Sequence, residues 1–486
     1  MKATAPQTTE IQWLQRKIGN WLASPYRLDQ ITGERYYLGF HDILRRKKTA
    51  IGKDGQLVEV DNVANEKIVD NLFAVAVDTK NSYLLSQDVV LVSENPEFQK
   101  ELDKIINADF LRKLKNVGEA SLTGGVGYLY IYYDEEGNLR FKMFPSHSIL
   151  PFYTSDDRDE LEMVVRYYEE ENKNSVTDEV IKHIEIYTSE GIDNYILVGN
   201  ILMVDKDNPH VDYMTIDGQA YTWHDKIPII PFKLNSKEQP LLRRCKSLQD
   251  AINVLESDFT NNMLEDVNSS VLVLTNYDGE NLSEFRKNLN AYKAIKIRSE
   301  SGATGGVSTL NIEVNANNYN IILTLLKQAL VQNCRYYDGS NTKLEGDPNQ
   351  VSIKSCFQNM DIDANATICE YKCSFDKLLY FVKSHLKSTG KGDYFDEQVK
   401  VIFNKDILIN ESAILQDLIS AGVRIPNRIL LSQVPFVNNI DEAEKLLEEE
   451  DSKLIDQLDP YNNAKSGSSR PKPKPDKGSK LMEDSK

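Results

Sequence analysis

Cys369 and Cys373 stand one helical turn apart, the spacing at which two thiolates could face one zinc ion. No third or fourth ligand follows nearby, so the pair reads better as small buried hydrophobes. Asp156, Asp157, Asp159, Glu160 and Glu162 form an acidic string that a metal-dependent nuclease could use. No histidine flanks the string and it is nearly contiguous, which suits a solvated loop better than a coordination sphere. The six histidines, at positions 41, 147, 183, 210, 224 and 385, are scattered. A phosphate loop ending in Gly-Lys-Ser/Thr is absent: Gly302–Gly306 lacks the lysine, and Gly124–Gly127 leads into a strand. Neither a Gly-x-Ser-x-Gly elbow nor a His-Glu-x-x-His pair occurs. No catalytic residue, metal site or cofactor is assigned, and an enzyme is not expected.

The remaining charges point to binding and solubility. Arg45, Arg46, Lys47 and Lys48 form a basic cluster that could touch nucleic acid, but four charges at a helix end are more often a solvated face. The net charge is −17 over 486 residues. A protein that grips DNA tightly gains from displacing counterions with Lys and Arg, so this balance argues against a sequence-specific binder. It permits a passage through which DNA slides, and it also serves plain solubility. With 41% hydrophobic residues, the chain can bury cores in two to four domains. No apolar run approaches the ~18 residues of a membrane span. The amino end lacks an apolar signal core, and five cysteines without framework spacing fit a reducing compartment.

The elements that would carry these residues follow from periodicity. Ile11–Trp21 is an amphipathic piece suited to packing on a neighbour. Asn65–Leu85 reads as a buried helix with Ile68, Leu72, Val75 and Tyr83, leading to a strand at Val89–Val92. Phe98–Leu122 reads as one helix closed at Gly124–Gly125. From Val126 to Leu234 the pattern is β: a hairpin of Gly127–Tyr133 and Leu139–Phe144 turning at Gly137–Asn138, then strands at Met163–Tyr168, His183–Tyr187, Tyr195–Val198 and Ile227–Phe232. Leu248, Ile252, Leu255, Phe259, Met263 and Val267 mark a long one-striped helix, and Tyr319, Ile322, Leu326, Leu330, Asn333 and Tyr337 mark a second. Between them lies an insert with strands at Val271–Leu274, Ala294–Ile297 and Val307–Val314 and a helix at Asn281–Tyr292. A Gly-, Pro- and Asn-rich loop, Gly339–Asn349, follows. The next helix places Ile362, Ala366, Cys369 and Cys373 in step and then resumes out of phase at Phe375, Leu379, Val382 and Leu386, which predicts a kink near Cys373. A strand at Val399–Phe403 precedes helices at Glu411–Ala421, Pro426–Gln433 and Ile440–Leu458, and the last 25 residues are low-complexity and basic.

This order of helix, lobe, helix, loop and helix resembles the portal proteins of tailed bacteriophages, of the siphophage type. The segments that carry the likeness are Glu34–Ile43, Asn65–Asn71 with Tyr83–Leu85, the Gly124–Gly127 step into an aromatic strand, Glu284–Leu289 and Ala294–Ile297. It extends over roughly residues 30–460. The resemblance implies an α+β portal fold with wing, stem, clip and crown regions, assembled as a homo-oligomeric ring, typically of twelve subunits. Residues 1–33 would be an N-terminal segment and 34–235 the wing. Residues 236–266 and 317–338 would be the stem helices, 267–316 the clip, and 339–350 the tunnel loop. Residues 351–387 would form the kinked channel helix, 388–405 a return strand to the wing, 406–461 the helical crown and 462–486 a disordered tail.

On this likeness, Ser340, Asn341, Thr342, Lys343, Leu344, Glu345 and Asp347 would touch DNA from the tunnel loop. Lys354, Gln358, Asp361 and Asn365 would line the channel. Tyr277, Glu280, Glu284, Arg286 and Lys287 of the clip would dock the packaging motor and adaptors. Family members commonly carry Ser-Gly where Asn349-Gln350 stands, so that junction is expected to differ in shape. The implied role is a DNA conduit at one capsid vertex, in the virion and in the host cytoplasm during assembly. Its implied partners are double-stranded DNA, the terminase large subunit, major capsid and scaffolding proteins and a head-tail adaptor, with no membrane. Another ring-forming scaffold without DNA passage is the alternative, and a metal nuclease a more remote one.

Overall fold

A computed structural model describes residues 8–51, 56–59, 64–171, 180–216, 219–224, 226–266, 271–275, 306–310, 316–338 and 350–404. The chain divides into Met1–Ile407 and Leu408–Lys486, and every described residue lies in the first unit. The expected crown, the basic tail and the insert's helix and middle strand lie outside the described residues.

The helix expected over 98–122 is two helices, α4 (Pro96–Ile105) and α5 (Ala108–Gly124). Asn107 separates them because its side chain accepts from the backbone N–H of Asp109 and Phe110, both at 3.1 Å, and so caps a fresh helix start. α5 closes at Gly125, whose φ is +86°. A Cβ there would sit 2.1 Å from the carbonyl oxygen of Glu238, so both conformation and close approach demand glycine. The chain then enters β4 (Val126–Tyr133), which pairs antiparallel with β5 (Leu139–Phe144) across a turn holding Gly137 at φ +79°. β14 (Ile229–Lys233) completes a three-stranded sheet in the order β14-β4-β5. α4, α5 and this sheet share one core built on Phe98, Phe110, Phe141, Phe144 and Phe232.

A larger antiparallel sheet runs β10 (Ile201–Val204), β9 (Ile192–Val198), β8 (Val180–Tyr187), β7 (Leu161–Glu171), β6 (Ile149–Tyr153), with β11 (His210–Val211) also on β9. One face of it is covered by α1 (Thr8–Leu22), whose Leu14, Ile18 and Trp21 pack on Val165, Ile184, Tyr195 and Leu197. The amphipathic N-terminal piece therefore packs on its own chain's sheet instead of a neighbour. α2 (Pro25–Tyr37), started by the Ser24 cap and Pro25, runs across residue 33. The acidic string lies in the bend between β6 and β7 and at the start of β7, with all five carboxylates exposed. Among the described residues no cluster of His, Cys, Asp or Glu could hold a metal.

The long helices run through the rest of the unit. α6 (Leu242–Asp266) begins six residues later than the boundary expected at 236, because Asn235 and Glu238 (φ +51°) fold a turn first. α7 (Ala316–Cys334) is ended by Arg335 at φ +54°. α8 (Gln350–Ser388) is one unbroken helix of 39 residues, roughly 58 Å long at ~1.5 Å per residue. The phase jump from which a kink near Cys373 was expected is absent: the buried stripe runs Met360, Ala364, Thr367, Tyr371, Phe375, Leu379, Val382 and Leu386 in step. Ile362, Ala366, Cys369 and Cys373 lie on the exposed side, so the apparent jump came from reading the wrong face, and the two cysteines are not core residues. The C-terminal half of α8 joins the core of α4, α5 and β14, while its N-terminal half packs with α2, α3 (Leu72–Leu85), α6 and α7. β17 (Val399–Ile402) returns to pair with β3 (Val90–Ser93), which explains a strand so far along the chain. β15 (Val271–Thr275) and β16 (Gly306–Leu310) pair antiparallel as the described part of the insert.

Candidate functional site

The stalk of α6 and α7 is built on two kinds of contact. Apolar side chains meet between the helices: Phe259 and Tyr319 lie 5.1 Å apart by ring centroid, and Leu248, Leu323, Leu326 and Leu330 belong to one apolar cluster. Ile322 and Asn333, expected on this seam, are on the open side, since residues 321–326 are apolar enough to fit two faces. A groove of about 480 Å³ remains between the helices, lined by Leu255, Phe259, Tyr319 and Leu323.

The second contact is polar and was not expected. Gln249, Asn253, Ser257 and Asn261 recur every fourth residue on α6 and all are buried. Each binds the backbone of the segment before α3. The N–H of Glu66 donates to Asn261 Oδ1 at 2.7 Å, that of Ile68 to Ser257 Oγ at 2.9 Å, that of Asp70 to Asn253 Oδ1 at 3.1 Å and that of Phe73 to Gln249 Oε1 at 3.0 Å. Alternate N–H groups facing one way is the geometry of extended chain, so residues 66–70 form a strap and not the first turns of a helix from Asn65. A repeat of four amides and hydroxyls at helical spacing is the sequence signal that marks it. His41 extends the network: Asn253 Nδ2 donates to its Nδ1 at 2.7 Å, and its Nε2 lies 3.0 Å from the Tyr36 carbonyl. These partners suit the neutral Nε2–H tautomer. Burial lowers the His41 pKa below its usual value, against the opposing pull of its hydrogen bonds. Lys327 of α7 ties strap and stalk together, 2.8 Å from Asp70 and 2.9 Å from Glu256.

At the base of the stalk, Asp363 of α8 collects three cations. Lys80 Nζ is 2.5 Å away, Arg244 Nη1 3.4 Å and Arg335 Nη1 3.5 Å, and Lys80 also donates to the Cys334 carbonyl at 3.1 Å. Burial pushes the Asp363 pKa up, but the Lys80 and Arg244 charges outweigh it and hold the carboxyl below its usual range. Two members of the basic cluster are likewise engaged: Arg46 pairs with Asp258 of α6 at 2.8 Å and Lys47 with Glu59 at 2.8 Å.

Of the residues expected at the channel, Gln358 and Asn365 are exposed on α8. Asp361 is half-buried and accepts from the Tyr83 hydroxyl at 3.0 Å, so it anchors α8 to α3. Lys354 lies in the second turn of α8. Ser340, Asn341, Thr342, Lys343, Leu344, Glu345 and Asp347 lie outside the described residues, as do Tyr277, Glu280, Glu284, Arg286 and Lys287. The open side of α7 carries Ile321, Ile322 and Leu325, each about half exposed or more.

A family model described as phage portal protein, SPP1 Gp6-like, matches residues 25–454. The portal protein of Clostridium phage phiCD119 is 28% identical over 455 residues, covering 90% of this chain and 96% of the relative. The portal protein of Bacillus phage SPP1 is 27% identical over 427 residues, covering 86% of this chain and 83% of the relative. With both chains matched over most of their length, the protein belongs to the SPP1 Gp6-like family of phage portal proteins.

Proposed function

We propose that copies of this chain close a ring, of about twelve subunits as the family likeness implies, around a channel for double-stranded DNA at one capsid vertex. In this reading the packaging motor, the terminase large subunit, docks on the clip during filling. Head-tail connector proteins take its place afterwards. The wing is residues 34–235 with the return strand at 388–405, and α1 joins it. Residues 236–266 and 317–338 form the stem, 267–316 the clip, 339–350 the tunnel loop, 351–387 the channel helix, 406–461 the crown and 462–486 a tail. Capsid and scaffolding proteins meet the wing.

The observation that carries the ring is the two-sided stalk. Its inner side is locked to its own chain by the strap and by Lys327, while Ile321, Ile322 and Leu325 stand open on the other. Apolar side chains left uncovered along a long helix need a neighbour, and head-to-tail repetition supplies one to every subunit. The net charge of −17 suits passage, because an acidic wall gives phosphates no deep trap.

Electron microscopy of the purified protein tests the ring, and the expected image is a closed annulus whose bore admits a duplex. A closed ring too narrow for DNA would instead favour a scaffold without passage. Deleting Ser340–Asp347 should abolish packaging or retention of DNA while rings still form; loss of the rings would reassign that loop to assembly.

A further inference from the structure

Among the described residues β10 is the end strand of the six-stranded sheet and pairs with β9 alone. β10 is Ile201-Leu202-Met203-Val204, four aliphatic residues in a row, with no proline, bulge or charge among them. Natural edges are usually blunted by such features, because bare N–H and C=O groups invite pairing. The Asp205 N–H donates to the Asn194 carbonyl at 3.0 Å. Antiparallel ladders alternate, so Met203 and Ile201 turn their backbone groups to β9, and those of Leu202 and Val204 point outward.

Side chains sharpen the picture. The face of the sheet away from α1 carries rows that run across the strands. Tyr168, His183, Ile196 and Met203 are aligned by successive pairings, with the Tyr168 and His183 rings stacked at 5.0 Å. Ile201 sits beside Val198 in the next row. In the row on the other side, Arg166 and Glu185 pair at 2.7 Å, and Asn194 lies beside Asp205. On this face Ile201 is 63% exposed, Val198 56% and Met203 49%, while Val204 stands on the α1 face, paired with Tyr195. Part of this face is buried against the three-stranded sheet through Val164, Tyr187 and Ile192, so the open aliphatic end is what remains of it.

We propose that β10 receives an added strand from another protein of the particle. The rows set its chemistry. Side chains facing Ile201 and Met203 should be aliphatic, and the one beside Asp205 should be Lys or Arg, giving apolar, apolar, basic at alternate positions. Asp207, exposed two residues beyond Asp205, adds to the preference for a basic flank. The proposal rests on the sheet alone and stands or falls independently of ring closure.

The test uses the full chain and two synthetic peptides, Lys-Thr-Val-Thr-Val-Ser and Glu-Thr-Val-Thr-Val-Ser, whose first residue an antiparallel strand sets beside Asp205. Hydrogen exchange should slow at Leu202 and Val204 when the lysine peptide is added, and the glutamate peptide should bind about tenfold more weakly. Val204→Pro removes one outward donor without touching a bond to β9, and it should weaken the lysine peptide about tenfold with thermal stability kept. Met203→Lys, which spoils the apolar row and leaves the backbone intact, should do the same. Equal binding of both peptides, or protection elsewhere with none at Leu202 and Val204, overturns the proposal. A change of oligomeric state in Val204→Pro by sedimentation would also overturn it, since the edge would then belong to contacts between copies.

Discussion

Replacing Asn253 by alanine removes three hydrogen bonds at once: from the Asp70 N–H, from Gln249 Nε2 and to His41 Nδ1. A buried N–H left without a partner costs about 1–3 kcal/mol, so urea unfolding of Asn253→Ala should show a loss of that size. Asp363 is a sharper case. Removing it strands Lys80, 8% exposed, beside Arg244, and breaking a buried pair from one side typically costs about 3–5 kcal/mol. Asp363→Ala should therefore destabilise more than Asn253→Ala, and the same titration compares them. His41 makes stability depend on pH. Burial lowers its pKa in the folded state, so its contribution is complete above the unfolded value of about 6.5 and is lost as pH falls below it. The melting temperature should drop between about pH 7.5 and about pH 5.5, and less so in His41→Gln, which cannot titrate. His385 is shifted the same way by burial, so the drop in His41→Gln should shrink without vanishing.

At the scale of elements, local chemistry made the helices and strands legible and tertiary contacts hid the rest. The hairpin of β4 and β5 shows in alternating aromatics around Gly137, and the close of α5 shows in Gly125. Asn107 does not stand out in the sequence because the apolar spacing continues straight through it, although Asn is a strong cap. The strap was hidden for a different reason: residues 65–71 carry no strand alternation of their own, and their partners lie some 190 positions along in α6. The phase of α8 misled because Cys, Ala and Ile on its exposed side look as apolar as its core. Gly125→Ala tests the tightest of these joints. A left-handed φ costs a Cβ residue about 1–2 kcal/mol, and the 2.1 Å approach of Glu238 O adds to it, so thermal melting should reveal a loss above ~1 kcal/mol.

For the whole molecule, the separation of folding from assembly is the measurable quantity. Ile322 and Leu325 are exposed in the single chain, so Leu325→Glu should leave the unfolding free energy within about 0.5 kcal/mol of the parent. The same change should abolish rings, because an unpaired carboxylate would be sealed between neighbouring stems. Rings that form normally would move the subunit contact away from α7. The order of elements, legible in the sequence over most of the chain, pointed to the family without any one motif sufficing. The candidate DNA and motor contacts carry no motif of their own in the sequence, which is why the likeness, and not the chemistry of the residues, had to nominate them.

The seam between strap and α6 works like a vernier scale. Four helical residues advance about 6.0 Å, while two extended residues advance about 6.6 Å, so the two rulers slip by roughly 0.6 Å per rung. After a few rungs the drift reaches the tolerance of a hydrogen bond, so such a ladder cannot be lengthened at will. The chain abandons it at Phe73, where α3 has already begun.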